Sequence, residues 1–192
     1  MKRVLKTLWR IDDNVVVRMI DTNLFVFQFF NIEDKNKVLD GRPWAFDNQI
    51  LLLKETKADE QPSDVEFNSC SFWIRLIDVP FGRRNKQYAR EVGDCIGECL
   101  EVDDFDSLGW EKFMRVKVIV DINKPLQRGL KVVVDVNTTK WVGFKYERLG
   151  DFCYYCGRIG HNDKDCDAKD CREGDSPIVF QYGPFLSASP LQ

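Results

Sequence analysis

The sequence predicts an α+β protein with two small units followed by a zinc knuckle. Strand-length runs of β-branched and aromatic residues alternate with three helical patterns, a polar stretch interrupts them near residue 60, and a Cys/His cluster follows residue 150. The length of 192 residues leaves room for two small cores. A composition of 44% hydrophobic and 31% charged residues is typical of a folded chain.

The first unit, residues 1–56, is predicted to contain two helices and three strands. Asp21-Thr22-Asn23 is a turn sequence between two strands, and Asn31 is a suitable N-cap for the second helix. Gly41 and Pro43 end that helix. The predicted elements are a helix at 1–9, strands at Val15–Ile20 and Leu24–Phe30, a helix from Asn31 to Leu39, and a strand at Ile50–Lys54.

Polar residues at 57–69 predict a linker, and residues 70–148 predict the second unit. This unit is expected to contain strands at Phe72–Ile77, Glu98–Val102 and Phe113–Ile122, a helix from Asn85 to Ile96, and a hairpin that pairs Leu130–Val136 with Lys140–Arg148. Cys95 and Cys99 follow the apolar spacing of the helix, so we expect both to be small core residues. Helices on one side of an antiparallel sheet predict RRM-like or ferredoxin-like units, whose other face is often open for RNA.

Charge is strongly segregated along the chain, although the net charge is only −3. Residues 91–111 carry eight acidic and no basic residues, whereas residues 112–148 carry nine basic and three acidic residues. Four basic residues of these strands are candidates for phosphate contacts on one open sheet face: Arg115, Lys117, Lys131 and Lys145. The alternative is a solvated face without a partner.

The segment from Cys153 to Cys166 has the spacing C-x2-C-x4-H-x4-C. Two cysteines two residues apart, followed by a histidine and a third cysteine, can surround one zinc ion in a tetrahedron. Gly157 and Gly160 allow the backbone to curl around the ion. We therefore predict one structural Zn²⁺ bound by Cys153, Cys156, His161 and Cys166, while Cys171 is expected to be a spare thiol.

No enzymatic activity is expected. A site with four protein ligands has no open position for activating water, and His161, the only histidine, is used as a ligand. The acidic cluster around Asp103 could in principle hold magnesium, but a solvated loop is the favoured interpretation.

Aromatic and basic residues inside the predicted knuckle are candidates for nucleic-acid contacts. Tyr154 or Tyr155, with Arg158 and Ile159 beside them, could form a platform for an unpaired base, with Tyr154 as the first choice. The alternative is that the tyrosines pack the knuckle against the preceding hairpin.

No apolar run is long enough for a membrane helix, and the N-terminus lacks the apolar core of a secretion signal. An intracellular location, in the nucleus or the cytoplasm, is expected.

The order of several motifs resembles one plant family. It is the domain of unknown function that precedes a CCHC knuckle in LINE-type retroelement proteins and in host genes derived from them. The motifs are Gly41-Arg42-Pro43-Trp44, Phe72-Trp73-Ile74-Arg75-Leu76, Lys124-Pro125-Leu126-Gln127-Arg128-Gly129 and Tyr146-Glu147-Arg148-Leu149. Since members of this family usually open with a strand before the first helix, the resemblance implies that the first unit is truncated at its N-terminus.

The resemblance also implies a retroelement-derived protein that binds nucleic acid. Together with the zinc motif, it predicts binding of single-stranded RNA or DNA with low sequence specificity. The alternative is a protein–protein interaction module that uses the knuckle (149–167), which is acidic like the tail (168–192), and an exposed sheet edge.

Overall fold

The computed structural model describes residues 2–11, 14–57, 59–104, 112–170 and 179–190. The described residues form a mixed α+β structure with two two-stranded sheets, one five-stranded sheet and a zinc-knuckle region. No helix in these ranges is both long enough and apolar enough to cross a membrane. The predicted division of the chain at residues 57–69 stays a prediction.

The N-terminal part contains α1 (Lys2–Trp9), β1 (Val15–Asp21), β2 (Leu24–Phe29), α2 (Ile32–Asp40), β3 (Trp44–Phe46) and β4 (Gln49–Leu51). The side chain of Asn31 accepts a hydrogen bond from the backbone of Glu33 and caps α2, as predicted. Trp9 lies at the centre of a hydrophobic cluster, with its ring 5.1 Å from Phe27 and 6.4 Å from Trp44. The helices and the β1–β2 hairpin therefore share one small core.

β3 was not predicted from the sequence, and the last strand of this part was predicted too far along the chain. The strand is Gln49–Leu51 rather than Ile50–Lys54, and it pairs antiparallel with Trp44–Phe46. Asp47 and Asn48 both have positive φ, at 49° and 60°. Two such residues form the tight turn that suits a two-residue hairpin, and Asp and Asn tolerate this conformation better than most residues.

The remaining strands form the five-stranded sheet. Its elements are β5 (Ser69–Ile77), α3 (Lys86–Ile96), β6 (Glu98–Val102), β7 (Phe113–Asp121), β8 (Gly129–Asp135) and β9 (Thr138–Tyr146). The strand order is β6-β7-β5-β9-β8, with every neighbouring pair antiparallel. Fully buried side chains of β5, β7 and β9, such as Phe72, Val116 and Phe144, pack with α3 into one core.

One predicted core residue of α3 is exposed. Cys95 faces solvent, whereas Cys99 at the start of β6 is buried as expected. The helix contacts the sheet through Ala89, Val92, Gly93 and Ile96. A Cβ on Gly93 would lie 2.8 Å from the sulfur of Cys99, so the close approach at this glycine rotates Cys95 away from the sheet.

Candidate metal centre and adjoining sheet face

The four predicted zinc ligands are brought together. Their ligand atoms all lie within 4.8 Å of one another: the sulfur atoms of Cys153, Cys156 and Cys166 and a ring nitrogen of His161. Cys156 Sγ and His161 Nε2 lie 3.2 Å apart. Three thiols and one imidazole at this spacing suit a tetrahedral zinc ion, and all four positions are filled by protein. The residues are thus positioned to bind one metal ion, consistent with a single structural zinc.

Backbone hydrogen bonds shape the loop around the metal position. The N–H of Gly157 donates to Cys153 O at 2.8 Å, and the N–H of Cys153 donates to Arg158 O at 2.9 Å. Gly157 and Gly160 have φ values of 75° and 97°, a region that favours glycine. The two glycines therefore allow the turn between the second and third ligands, as the sequence predicts.

The pKa values of two ligand thiols are displaced in opposite directions. Burial raises the pKa of Cys156 to about 11, with a further contribution from the neighbouring Cys153. For Cys153, burial is outweighed by backbone N–H groups of Cys156 and Tyr155, and the pKa is lowered. Since zinc binds thiolates, loading the site releases protons, and higher pH favours binding.

The knuckle is packed against the five-stranded sheet. Phe152 and Cys153 are buried, and the ring of Phe152 meets that of Tyr154 at 5.1 Å. The backbone N–H of Leu126, before β8, donates to Gly157 O at 2.8 Å. The loop is therefore part of the same body as the sheet core.

A C-terminal segment, residues 179–190, covers the other side of the knuckle. A Cβ on Gly157 would lie 2.4 Å from the ring of Tyr182, so this ring rests directly on the glycine. Leu186 is fully buried in the sheet core, and the N–H of Ala188 donates to Tyr146 O. The sequence gives no periodic signal for this segment, so its role was not predicted.

The predicted nucleic-acid contacts of the knuckle differ in exposure. Tyr154 and Ile159 are half-buried and pack against the sheet core. Tyr155 is half-buried outside that contact, and Arg158 is exposed. Their roles in binding stay predictions, and the geometry leaves Tyr155 and Arg158 as the less constrained side chains.

The four predicted basic residues occupy one face of the sheet, opposite the core. Arg115 lies across from Arg75, which lies across from Lys145. Lys117 lies across from Trp73, and Lys131 lies across from Trp141. Since directly opposed residues in a sheet point to the same side, all these side chains share the face.

Arg115 is held in an ion-pair network. Its guanidinium donates to both carboxylate oxygens of Glu147 and to Asp103, at 2.7–2.9 Å. Arg75 Nε also donates to Glu147, at 2.7 Å. Burial alone would raise the pKa of Glu147, but hydrogen bonds and charges from Arg115 and Arg75 outweigh it and hold the pKa below its usual range. The network fixes the orientation of Arg115, which lies 4.2 Å above the Trp73 ring.

The other three basic residues are less constrained by acidic groups. Lys117 Nζ donates to the backbone oxygen of Asp40 at 2.8 Å and thereby joins the sheet face to the end of α2. Lys131 and Lys145 form no ion pair with any described residue. Of the four predicted basic residues, these two lysines are therefore the best placed to contact the phosphates of a ligand.

Trp73, Trp141 and Glu147 belong to this face but were not singled out as site residues. Trp73 and Arg75 alternate with the apolar residues Phe72, Ile74 and Leu76 along β5, and that alternation could have revealed them in the sequence. Trp141 precedes the buried Val142 in the same way on β9. Glu147 follows the last strand, and sequence periodicity alone does not reveal its partners.

The family matches of the chain are consistent with the assigned metal ligands. Residues 120–168 match the zinc-knuckle family. Residues 1–64 match a domain of unknown function, DUF4283. The chain thus carries DUF4283 followed by a CCHC zinc knuckle, the order expected from the resemblance.

The chain also has a distant plant relative. The chain is 23% identical to an uncharacterized protein of Arabidopsis thaliana over 137 residues, which cover 69% of this chain and 42% of the relative. The aligned region spans less than half the length of that relative. No solved structure matches the chain.

Proposed function

We propose that this protein binds single-stranded RNA or DNA with low sequence specificity and has no catalytic role. The observation that carries the proposal is a closed Cys/His metal site packed on a sheet whose opposite face bears tryptophans and, within the described residues, lysines without an ion pair. Zinc knuckles and exposed aromatic residues serve the recognition of unpaired bases, which offer their flat faces for stacking. Lysines beside them neutralise phosphates without reading sequence.

The topology of the sheet supports an RRM-like second unit. The chain order β5-α3-β6-β7, followed by β9 beside β5, corresponds to the β-α-β-β-α-β arrangement of RRM domains. Here β8 occupies the place in the chain that the second helix has in that arrangement. In RRM domains the face opposite the helices stacks bases on aromatic residues of the sheet. Trp73 on β5 occupies such a position, with Arg115 above its ring.

We also infer a retroelement origin. The combination of DUF4283 with a CCHC knuckle, and the motif order from Gly41 to Leu149, supports this proposal. A protein that coats element RNA requires affinity without strong sequence preference, which fits phosphate contacts combined with base stacking.

Salt titration of binding to an unstructured oligonucleotide tests the function. For single strands, log K falls with log salt by about 0.7 for each phosphate contact. Replacement of Lys131 and Lys145 by glutamine should therefore reduce the slope by about 1.4 and weaken all sequences alike. Lys86→Gln, at the start of α3 on the opposite side of the sheet, is the matched control and should leave the slope unchanged.

Absence of binding by the zinc-loaded parent protein at low salt would overturn the proposed function. An unchanged slope in the double variant, with binding retained, would instead show that Lys131 and Lys145 do not contact phosphates.

A second candidate function is supported by an apolar groove in the N-terminal part. The groove, of about 420 Å³, lies between β2 and residues 50–56. In the described residues β2 pairs only with β1, so its other edge is open and could accept an extended segment of a protein partner. A protein that acts only in this way would show no oligonucleotide binding in the titration.

A further inference from the structure

A second cleft lies on the basic face of the sheet, and none of the four metal ligands lines it. It has a volume of about 460 Å³ and forms where β8 begins beside β9. Clefts of about 300–1,000 Å³ accommodate small organic groups. Its lining residues are Ile77, Arg128, Trp141, Gly143, Phe144, Lys145 and Phe185.

Trp141 is exposed in this cleft and is supported from behind. Its side chain is 49% exposed. A Cβ on Gly129 would lie 2.6 Å from two atoms of the indole, and a Cβ on Gly143 would lie 3.7 Å from Nε1. Gly129 and Gly143 lie directly opposite each other, so the indole rests on a floor of two glycines. This floor holds the ring in place while leaving it accessible.

Phe185 provides the second aromatic group and is also anchored. It is 54% exposed, yet the next residue, Leu186, is fully buried. Ser187 then pairs with Tyr146 at the edge of β9. Two exposed rings therefore stand at one cleft on fixed backbone, which favours stacking of a flat ligand.

The charge of the cleft matches phosphate. Arg128 and Lys145 line it, Lys131 lies across from Trp141, and none of the described residues that line it is acidic. Lys145 forms no ion pair within the described part of the chain, and Arg128 uses NH1 on the backbone oxygen of Gln181 at 3.1 Å. Exposed aromatic rings combined with unpaired cations are typical of sites that bind single-stranded nucleic acid.

The cleft is connected to the metal-binding loop. The guanidinium of Arg128 lies 5.6 Å from the centre of the Tyr182 ring, and this ring rests on Gly157 of the loop. Arg128 thus belongs to both the cleft and the contact with the knuckle. A single-stranded nucleic acid bound at the knuckle can extend past Tyr182 and Arg128 to Trp141.

We propose that an unpaired nucleobase stacks on Trp141 in this cleft, with Phe185 beside it, and that Arg128 and Lys145 contact the flanking phosphates. This inference rests on the proposed function and deepens it by placing a nucleotide site on the sheet. Stacking does not depend on base identity, so the site adds affinity without sequence preference.

The test uses the full-length, zinc-loaded protein and an unstructured oligonucleotide. Trp141→Ala should weaken binding by about 5- to 100-fold without changing the salt slope, whereas Trp141→Phe should retain most of the affinity. Phe81→Ala, at an exposed ring outside the cleft, is the matched control and should bind like the parent. Zinc content and the circular dichroism spectrum identify any variant that has lost its fold.

An oligonucleotide with abasic positions keeps the test independent of the Trp141 variant. It should bind the parent more weakly, and Trp141→Ala should then cause little further loss, because the stacked base is already missing. If Trp141→Ala loses the same affinity on abasic and intact oligonucleotides, or binds like the parent, the proposed stacking site in the cleft is wrong. The proposed function would remain intact. If the parent binds no oligonucleotide, both proposals fall.

Discussion

At the residue scale, the metal ligands show the strongest link between sequence and chemistry. Gly157 and Gly160 adopt conformations with positive φ and shape the loop between the second and third ligands. The sulfur of Cys153 also accepts a backbone hydrogen bond from Cys156 at 3.4 Å. Such N–H···S contacts stabilise the thiolate that a metal requires.

His161→Ala should abolish zinc binding. The variant loses one of four ligands in a loop whose folding depends on the metal, and structural zinc contributes on the order of 10 kcal/mol. Elemental analysis of purified protein should give one zinc per chain for the parent and none for the variant. His161→Cys is the matched control and should retain zinc, because four thiolates also form a closed tetrahedral site. Full zinc occupancy in His161→Ala would contradict the ligand assignment.

We expect Tyr154 to contribute mainly to stability and Tyr155 mainly to oligonucleotide binding. Tyr154 packs on Phe152, so Tyr154→Ala should lower the free energy of unfolding by about 2–4 kcal/mol. Tyr155 lies outside that packing, and Tyr155→Ala should lower oligonucleotide affinity by about tenfold with little effect on stability. Thermal unfolding and binding isotherms check both variants. The reverse pattern would make Tyr154 the stacking ring.

At the scale of elements, an ion-pair network ties together three strands of the sheet. Arg75 on β5 and Arg115 on β7 converge on Glu147, just after β9, and the Glu147 side chain is only 12% exposed. Rings cover the two arginines, since Arg75 lies 4.6 Å from the ring centre of Phe113 and Arg115 lies over Trp73. Two guanidinium groups held in this way require the carboxylate between them.

Glu147→Gln should destabilise the protein by about 3 kcal/mol at neutral pH, because it leaves two partly buried arginines without their shared anion. The pKa of Glu147 is depressed in the folded state. Its stabilising contribution is therefore present above the unfolded pKa, near 4.3, and is lost as pH falls through the lower folded value. Denaturant unfolding between pH 3 and pH 7 should show this loss in the parent and a smaller pH dependence in the variant.

An exposed ion pair serves as the control for the effect of Glu147→Gln on stability. Lys35 and Glu55 form a salt bridge in which the Glu55 side chain is largely exposed. Glu55→Gln should cost at most about 1 kcal/mol. Equal effects of Glu55→Gln and Glu147→Gln would show that burial does not strengthen the Glu147 network.

At the scale of the whole molecule, the knuckle and the sheet share one core. Phe152 and Leu186 belong to the buried cluster of the sheet, and Tyr154, Ile159 and Tyr182 pack against it. The N-terminal part adds contacts at the loop before the knuckle, where the N–H of Asp151 donates to Asn48 O at 2.7 Å. Metal binding is therefore coupled to the stability of more than the loop.

Removal of zinc by a chelator should lower the melting temperature of the sheet, not only that of the knuckle. The measurement is thermal unfolding followed by far-ultraviolet circular dichroism, which reports the sheet, with and without chelator. Restoration of the transition by added zinc is the control for irreversible damage. A sheet transition that does not respond to chelation would show that the knuckle is energetically independent.

Local patterns predicted most elements, and long-range contacts account for the errors. Alternating residues located β7 and the β8–β9 hairpin, and helix caps located α2 and α3. Periodicity could not show that Gly93 brings α3 close to Cys99 and turns Cys95 outward, because that depends on a contact with the sheet. The ligands of the metal site were predictable from spacing alone, since all four lie within one short loop.

The neighbours of the metal site were not predictable in the same way. Arg75 and Arg115 are more than 30 residues from Glu147 in sequence, and no local pattern connects them. Tyr182 reaches Gly157 from a segment without helical or alternating character. The zinc ligands were therefore predictable from local spacing, whereas the residues packed around them were not.

The contact of Tyr182 with Gly157 also affects how the knuckle can be isolated. A fragment that ends at residue 168, where the zinc-knuckle match ends, would contain all four ligands but neither Tyr182 nor Leu186. Its glycine turn would lose its aromatic cover, and the apolar side of the loop would face water. We expect that transplanting the knuckle into another scaffold requires residues 179–190 together with the strands from β8 onward.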